Sequence, residues 1–477
     1  MTQQTDVQRD EGENGLRPGV LGTPGLVATV VATVSPLAAF IGAAPLVFMT
    51  QGPGASGIYV MAIVLMLLFA VGYLAMARRV GNASGFILFI AAGLGRTAGV
   101  AAAIVTLVTY VLFTASLYGL ISTFVQGALA DFFGLDVPWG VIAIVALVVI
   151  SLLSAYRVEF SMRLMAVLLV LAVVALLVFD IAVLLRGVEG GFSFEGFSPA
   201  AIFGPGFGLA ILFALGTFGG IESTAVYSEE VREPRKTVPR AMYISILGVG
   251  LLYLLSAFVV VNAVGSENII EVAGADPAGF IYALVAEYVG PFWAQLISAL
   301  LVISLIAGVL GFTNATTRYV FSLGRAGVLP RAIGRTHERL QTPYVAAAFL
   351  AAIVLLFTIG FLVAGADPYA QFYTLLFAPA LVGVLLLMCV SSLAVVFALN
   401  RGAGPKPNLW VRLIAPGIAF LGFAGALVAA VSNFPLIAGG DGFVGLLWVI
   451  VPIAAIIGLV MGLSSRFKNL RFDTLEG

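Results

Sequence analysis

Apolar residues gather in long runs with polar residues between them. A helix that crosses a bilayer needs about 20 apolar residues. Twelve such runs stand out, at 25–50, 56–77, 97–129, 138–155, 164–186, 204–229, 240–264, 285–316, 343–364, 370–399, 411–432 and 443–464. Turns rich in Pro, Gly and charge separate them. A shorter run, Phe86 to Leu94, is expected to be re-entrant or to lie on the surface. The pattern predicts an all-α integral membrane protein with 12 transmembrane helices.

Composition sharpens this. Of 477 residues, 61% are hydrophobic and 10% charged, more apolar surface than a soluble chain of this length could hide, so the solvent is a lipid bilayer. A formal net charge of zero gives no reason to expect a nucleic-acid partner. The single cysteine, Cys389, and single histidine, His337, leave nothing from which to build a disulfide, a Cys/His metal centre or a Ser/His/Asp triad. No catalytic residue, metal or cofactor is therefore expected. The polar opening stretch, Met1 to Gly25, lacks the apolar core of a signal peptide.

Lys and Arg favour cytoplasmic loops. With the N-terminus inside, 22 of the 23 basic residues fall on the cytoplasmic side, and only Arg186 falls outside. The opposite loops carry acids, among them Asp131, Asp136, Glu189, Glu195, Glu267, Glu271, Asp276 and Asp367. An even number of spans with both termini cytoplasmic follows.

Two runs contain helix breakers at membrane depth, where each unsatisfied backbone group costs several kcal/mol. Run one reads ATVSPLAAFIGAAPLVF, with Pro36 and Pro45 bracketing Gly42. Run six reads GPGFGLAILFALGTFGGIES, with Gly216, Gly219 and Gly220 just before Glu222. The two lie five runs apart, the spacing of an inverted five-plus-five repeat, and interrupted segments at matching positions point to a transporter's binding site. Freed amides and carbonyls at the half-helix ends can hold a small polar solute. The alternative is that these glycines and prolines serve only close helix packing.

The residues at run six resemble a known signature. GGIES followed by SEEVREPRKTVPRA is similar to the sixth-span motif of the amino acid–polyamine–organocation (APC) permeases: Gly220, Ile221 and Glu222, then Glu230, Pro234 and Pro239. The stretch from Thr316 to Tyr344 resembles that family's loop after span eight, through Arg318, Gly327, Leu329, Pro330 and Pro343. GNASGFILFIAAGLGR resembles the segment after span two. The resemblance covers nearly the whole chain. It implies a LeuT-like fold with helices 1 and 6 unwound in mid-membrane. On that plan 1–24 is a cytoplasmic tail, 25–186 the first repeat, 204–399 the second, 411–464 the last two spans and 465–477 a cytoplasmic tail. It also implies a plasma-membrane secondary transporter of amino acids or, alternatively, of polyamines or other organic amines. Transport would be coupled to protons or sodium or run by exchange, and the protein would be a monomer or homodimer.

Three features depart from the family pattern. SPLAAFIG stands where many members carry a Gly-Ser/Thr-Gly run that holds the substrate carboxylate. A Glu common near the end of span two is missing from AVGYLAMARRVG, and span five has no lysine of the kind some proton-coupled members use.

The expected substrate site is Ser35, Ala38, Ala39, Phe40 and Gly42 of span one with Thr217, Phe218, Gly219, Gly220, Ile221 and Glu222 of span six. Phe40 and Phe218 would cover the apolar part of the solute. Tyr110, Thr114 and Tyr118 share one face of span three and could line the pocket or contact a neighbouring helix. Intramembrane acids are functional candidates. Glu222 has two roles open: proton coupling or gating, and holding the broken helix by accepting bonds from freed amides. Asp180 is a second candidate for coupling, the alternative being that it simply faces the outer vestibule. Asn314 is expected to serve helix packing. Glu229, Glu230, Arg232, Glu233, Arg235 and Lys236 form a solvated loop, or an inner gate with Arg325 or Arg331.

Overall fold

Apolar runs become helices because a segment in hydrocarbon must satisfy its own backbone. The computed structural model describes residues 22–80, 85–155, 162–222, 224, 231, 233–336, 342–401, 406–436 and 442–464. In chain order its helices are α1 (Thr23–Val34), α2 (Pro36–Gln51), α3 (Ala55–Val80), α4 (Phe86–Leu94), α5 (Arg96–Phe133), α6 (Trp139–Ala155), α7 (Met162–Arg186), α8 (Pro199–Ile202) and α9 (Phe207–Gly216). Then come α10 (Pro234–Val264), α11 (Ile269–Ala275), α12 (Phe280–Tyr288), α13 (Pro291–Arg325), α14 (Tyr344–Val363), α15 (Thr374–Arg401), α16 (Ala415–Ser432) and α17 (Ile450–Leu463).

Among the described residues nine helices are long and apolar enough to cross a membrane, or ten if the pair α11 and α12, bent by 113°, is one span. One of the nine is the continuous tract Pro36–Arg79, and Trp139–Ser154 and Phe207–Gly216 are shorter apolar helices. The chain is a multi-pass membrane protein.

Burial follows the lipid solvent. On α6, Val141, Val145, Val148, Val149 and Leu152 are exposed, an apolar stripe that only lipid would cover. Inside, the largest fully buried side chains are aromatic, including Tyr59, Tyr253, Phe40, Phe213 and Phe218. Glycines let helices meet backbone to backbone. A Cβ on Gly208 of α9 would fall 2.1 Å from the Ala429 carbonyl carbon of α16.

Two expectations are corrected here. Of the two alternatives for Phe86 to Leu94, re-entrant or surface, the surface one falls: the segment is a mostly buried helix, α4, packed on α5 and α15. A Cβ on its Gly93 would fall 2.1 Å from the Ala394 carbonyl oxygen. The eighth run, expected from 285, becomes a helix only at Pro291, because Gly290 at φ 130° ends the α12 segment first. The acidic connection after α10 thus forms two short helices, α11 and α12, that periodicity had not separated.

Candidate functional site

The first break is a single residue. Ser35 sits at φ 51°, ψ 70° between α1 and α2, the one non-glycine with positive φ among the described residues. Such a conformation costs a non-glycine residue about 1–3 kcal/mol and survives only where its surroundings impose it. Pro36 opens α2 without an N–H, and Ser35 makes no side-chain cap bond. The amides of Leu37 and Ala38 therefore have no intrahelical carbonyl to meet. The backbone of Ser35 still bridges the halves: its N–H donates to Val31 O at 3.0 Å, and its carbonyl accepts from Ala39 N–H at 2.9 Å.

Gly42 and Pro45 do not belong to this break, contrary to expectation. α2 runs unbroken through both. Gly42 instead serves packing: a Cβ there would lie 3.1 Å from Leu120 of α5, and its carbonyl accepts the Tyr369 hydroxyl at 2.9 Å. Ala38 is buried and Ala39 half-buried on the same turn as Phe40.

The second break is longer. α9 stops at Gly216, and the chain continues through tight turns over Thr217, Phe218, Gly219 and Gly220, then a 3₁₀ turn at Ile221 and Glu222. Short bonds of the 3₁₀ type replace the α-helical ladder: Phe218 N–H to Leu215 O at 3.1 Å, Gly219 N–H to Gly216 O at 3.1 Å, and Ile221 N–H to Phe218 O at 3.2 Å. Gly220, at φ 101°, takes a conformation closed to most side chains. Its N–H donates to Glu222 Oε2 at 3.0 Å. The Tyr73 hydroxyl donates to the Glu222 carbonyl at 3.2 Å. Glu222 thus caps a freed amide, the helix-holding one of its two expected roles. Its side chain is half-buried, which leaves a second role open.

Tyr253 of α10 joins the two breaks. Its ring stacks on Phe40 with centroids 5.8 Å apart and 20° between planes, and Phe218 meets it edge-on at 5.9 Å. Its hydroxyl donates to the Thr217 carbonyl at 3.3 Å, and Tyr59 packs against both Phe40 and Tyr253. Phe40 and Phe218 are therefore brought together through Tyr253, and both are fully buried. Beyond them α2 packs along α9. Tyr253 and Tyr59 were missed in the sequence. The signal was a tyrosine inside an apolar run, whose hydroxyl needs a partner when buried.

Other candidates lie elsewhere. Thr114 bonds Thr316 of α13 at 2.8 Å, the Tyr118 hydroxyl approaches Thr313 at 3.4 Å, and Tyr110 packs beside Tyr319 at 6.1 Å. The span-three stripe is an interhelical seam with α13. Asn314 accepts a bond from Ser154 at 2.5 Å, a packing contact as expected. Asp180 does not face a vestibule. It is fully buried, accepts the Ser256 hydroxyl of α10 at 2.7 Å, and its Oδ1 has no partner among the described residues. Arg186 turns away from it, donating to the carbonyls of Glu287 and Tyr288.

Of the expected inner gate, Glu229, Glu230 and Arg232 lie outside the described residues, as does His337. Lys236 pairs with Glu233 at 2.8 Å on the first turn of α10, and that hydrogen bond and charge hold the Glu233 carboxyl below its ordinary range. Arg325 lies over the ring of its own helix neighbour Phe321 at 5.8 Å.

The family profile described as amino acid permease matches residues 21–462. The chain belongs to the amino acid permease family. The profile spans both breaks and the aromatic cluster between them. Over 208 residues this permease is 26% identical to the branched-chain amino acid permease BcaP of Bacillus subtilis, covering 43% of each chain. It is 27% identical over 150 residues to the lysine-specific permease LysP of Lactococcus lactis, 31% of this chain and 29% of that one. It is 24% identical over 258 residues to the serine/threonine exchanger SteT of Bacillus subtilis, 52% of this chain and 56% of the relative. Each alignment leaves a large part of the relative unmatched.

Proposed function

We propose that this permease is a secondary active transporter that moves amino acids across the plasma membrane by alternating access. The observation that carries the proposal is the pair of breaks at Ser35 and Thr217–Glu222, linked through Tyr253. Amides of Leu37 and Ala38 would meet the substrate carboxylate at the positive end of α2. Carbonyls of the span-six turn would meet its ammonium. Phe40 and Phe218 would part from Tyr253 to admit the side chain.

Twelve spans in a five-plus-five inverted repeat, 25–186 and 204–399, fit this proposal. The tract Pro36–Arg79 has 44 residues. At 1.5 Å per residue it is about 66 Å long, roughly two bilayer cores. It would therefore cross twice, hinged at Gly52–Gly54. Adding Trp139–Ser154 and α9 with the residues that follow it brings the count to twelve. Both termini would then lie in the cytoplasm with the basic loops.

Glu222 and Asp180 are the coupling candidates, with protons favoured over sodium. Asp180 has one satisfied and one unsatisfied oxygen in a site without a cation among the described residues, a setting that suits a carboxyl gaining and losing a proton. The names of the relatives support amino acids as cargo. The loss of the glycine run at span one keeps organic amines as the rival class.

The test is uptake into proteoliposomes, with radiolabelled amino acids and putrescine each tried with and without an imposed inward proton gradient. Saturable, gradient-driven uptake of an amino acid is expected. Uptake of putrescine alone would transfer the protein to the amine class, and no uptake of either would refute transport of both.

A further inference from the structure

A second site lies at the end of the helices where the basic residues gather. Arg79, in the last turn of α3, and Arg401, at the end of α15, face a cleft of about 530 Å³. Met76, Leu94, Gly95 and Ala398 supply further walls. Both arginines are exposed yet held. Arg79 Nη1 donates to the Ala398 carbonyl at 3.0 Å, and the Arg401 guanidinium lies 4.7 Å over the Phe397 ring. These contacts hold both side chains at the wall of the cleft.

Arg96 opens α5 beside Gly95. Its Nε and Nη2 are inaccessible to water and have no partner among the described residues. Gly95 itself has φ 93° and open space where a Cβ would be. The first amides of the 38-residue α5 therefore begin at the cleft.

This charge has no ion-pair partner among the described residues. Among the described residues the ion pair is Lys236 with Glu233, and none involves Arg79, Arg96 or Arg401. The adjoining connections 81–84 and 402–405 read GNAS and GAGP and contain no acid. Two guanidinium groups and the N-terminus of α5 thus line a cleft of ligand size, a third guanidinium, Arg96, follows Gly95 in the chain, and none of the three is paired with an acid among the described residues.

We propose that this cleft binds the phosphate headgroup of an anionic phospholipid. The location decides between lipid and soluble anion. α3 and α15 are membrane-spanning helices, and the cleft sits at their last turns, where headgroups lie. Its floor is apolar, from Met76, Leu94 and Ala398, as a glycerol backbone and the first acyl carbons require. Basic pockets between helices on the cytoplasmic side take such headgroups, and each arginine near the surface adds affinity. A bound headgroup would tie α3, α4 and α15 together at one end, independently of which substrate the permease carries.

Detergent-purified permease should be titrated with phosphatidylglycerol in mixed micelles, using native mass spectrometry and thermal unfolding. Phosphatidylcholine and inorganic phosphate serve as the comparison arms. The wild-type protein should retain phosphatidylglycerol in preference to phosphatidylcholine. Arg79→Gln with Arg401→Gln should weaken retention by roughly thirtyfold. Ala92→Trp, which fills the cleft and keeps both charges, should weaken it too, and decides the matter if the double variant does not fold. Equal retention of phosphatidylcholine, or unchanged phosphatidylglycerol binding in the folded variants, would overturn the proposal. Inorganic phosphate protecting as well as phosphatidylglycerol would reassign the cleft to a soluble anion and overturn it equally.

Discussion

Glu222 offers the sharpest test, because its two candidate roles separate by substitution. In the structure its Oε2 accepts the Gly220 N–H at 3.0 Å, at a turn that has lost the α-helical ladder. Glu222→Ala removes this charge-assisted acceptor, at a cost of about 1–3 kcal/mol. Glu222→Gln offers an amide oxygen at the same reach. It exchanges a charge-assisted bond for a neutral one, a loss of about 1 kcal/mol. Thermal unfolding in detergent should therefore rank wild type, then Gln, then Ala, with Ala clearly the lowest. Proteoliposome flux measured across pH reads the other role. If the carboxyl carries a proton, both variants lose the pH dependence of uptake, although Gln keeps most of the stability. Two results would refute the reasoning separately. Equal stability of Ala and Gln would mean that the carboxylate does not hold the break. Normal flux with an unchanged pH profile in Glu222→Gln would remove Glu222 from coupling.

Ser35→Gly should raise the melting temperature by relieving positive φ, worth about 1 kcal/mol, whereas Ser35→Val should lower it; the reverse order would mean that Ser35 is not strained. Tyr253→Phe keeps the stacking on Phe40 and loses the bond to the Thr217 carbonyl, so substrate affinity in a binding assay should fall about two- to tenfold with the fold intact. Ser256→Ala strips Asp180 of its described donor and should destabilise by about 1.5–3 kcal/mol in thermal unfolding. Asp180→Asn should stay stable but lose pH dependence of flux, and a normal pH profile would exclude Asp180 from coupling. Gly208→Ala drives a methyl into the Ala429 backbone and should cost about 1–3 kcal/mol, seen as a lower melting temperature or poor expression.

The sequence alone determined the solvent, the helical class and the family. Apolar length decides whether a segment enters hydrocarbon, and that is a property of composition along the chain. The span-six break was legible for the same reason: three glycines and an acid cannot continue a helix at membrane depth without a partner, and the partner, Gly220 with Glu222, is local. The span-one break was legible only in part. Pro36 marked it, but Pro45 has the same chemistry and interrupts nothing. What separates them is not local chemistry, since α2 runs on through Pro45 while Ser35 before Pro36 turns to φ 51°. The same holds for the aromatic cluster. Phe40, Tyr59, Phe218 and Tyr253 are ordinary residues of four separate segments, and nothing local says that they meet. Tyr110 and Thr114 show the reverse case: their helical spacing was read correctly, but a stripe has a partner only once helices are packed, and packing turned it to α13. Asp180 was visible as an acid in an apolar run. Whether it faced water or a serine depended on the rotation of α7 against α10, which close packing of the folded chain sets and periodicity does not.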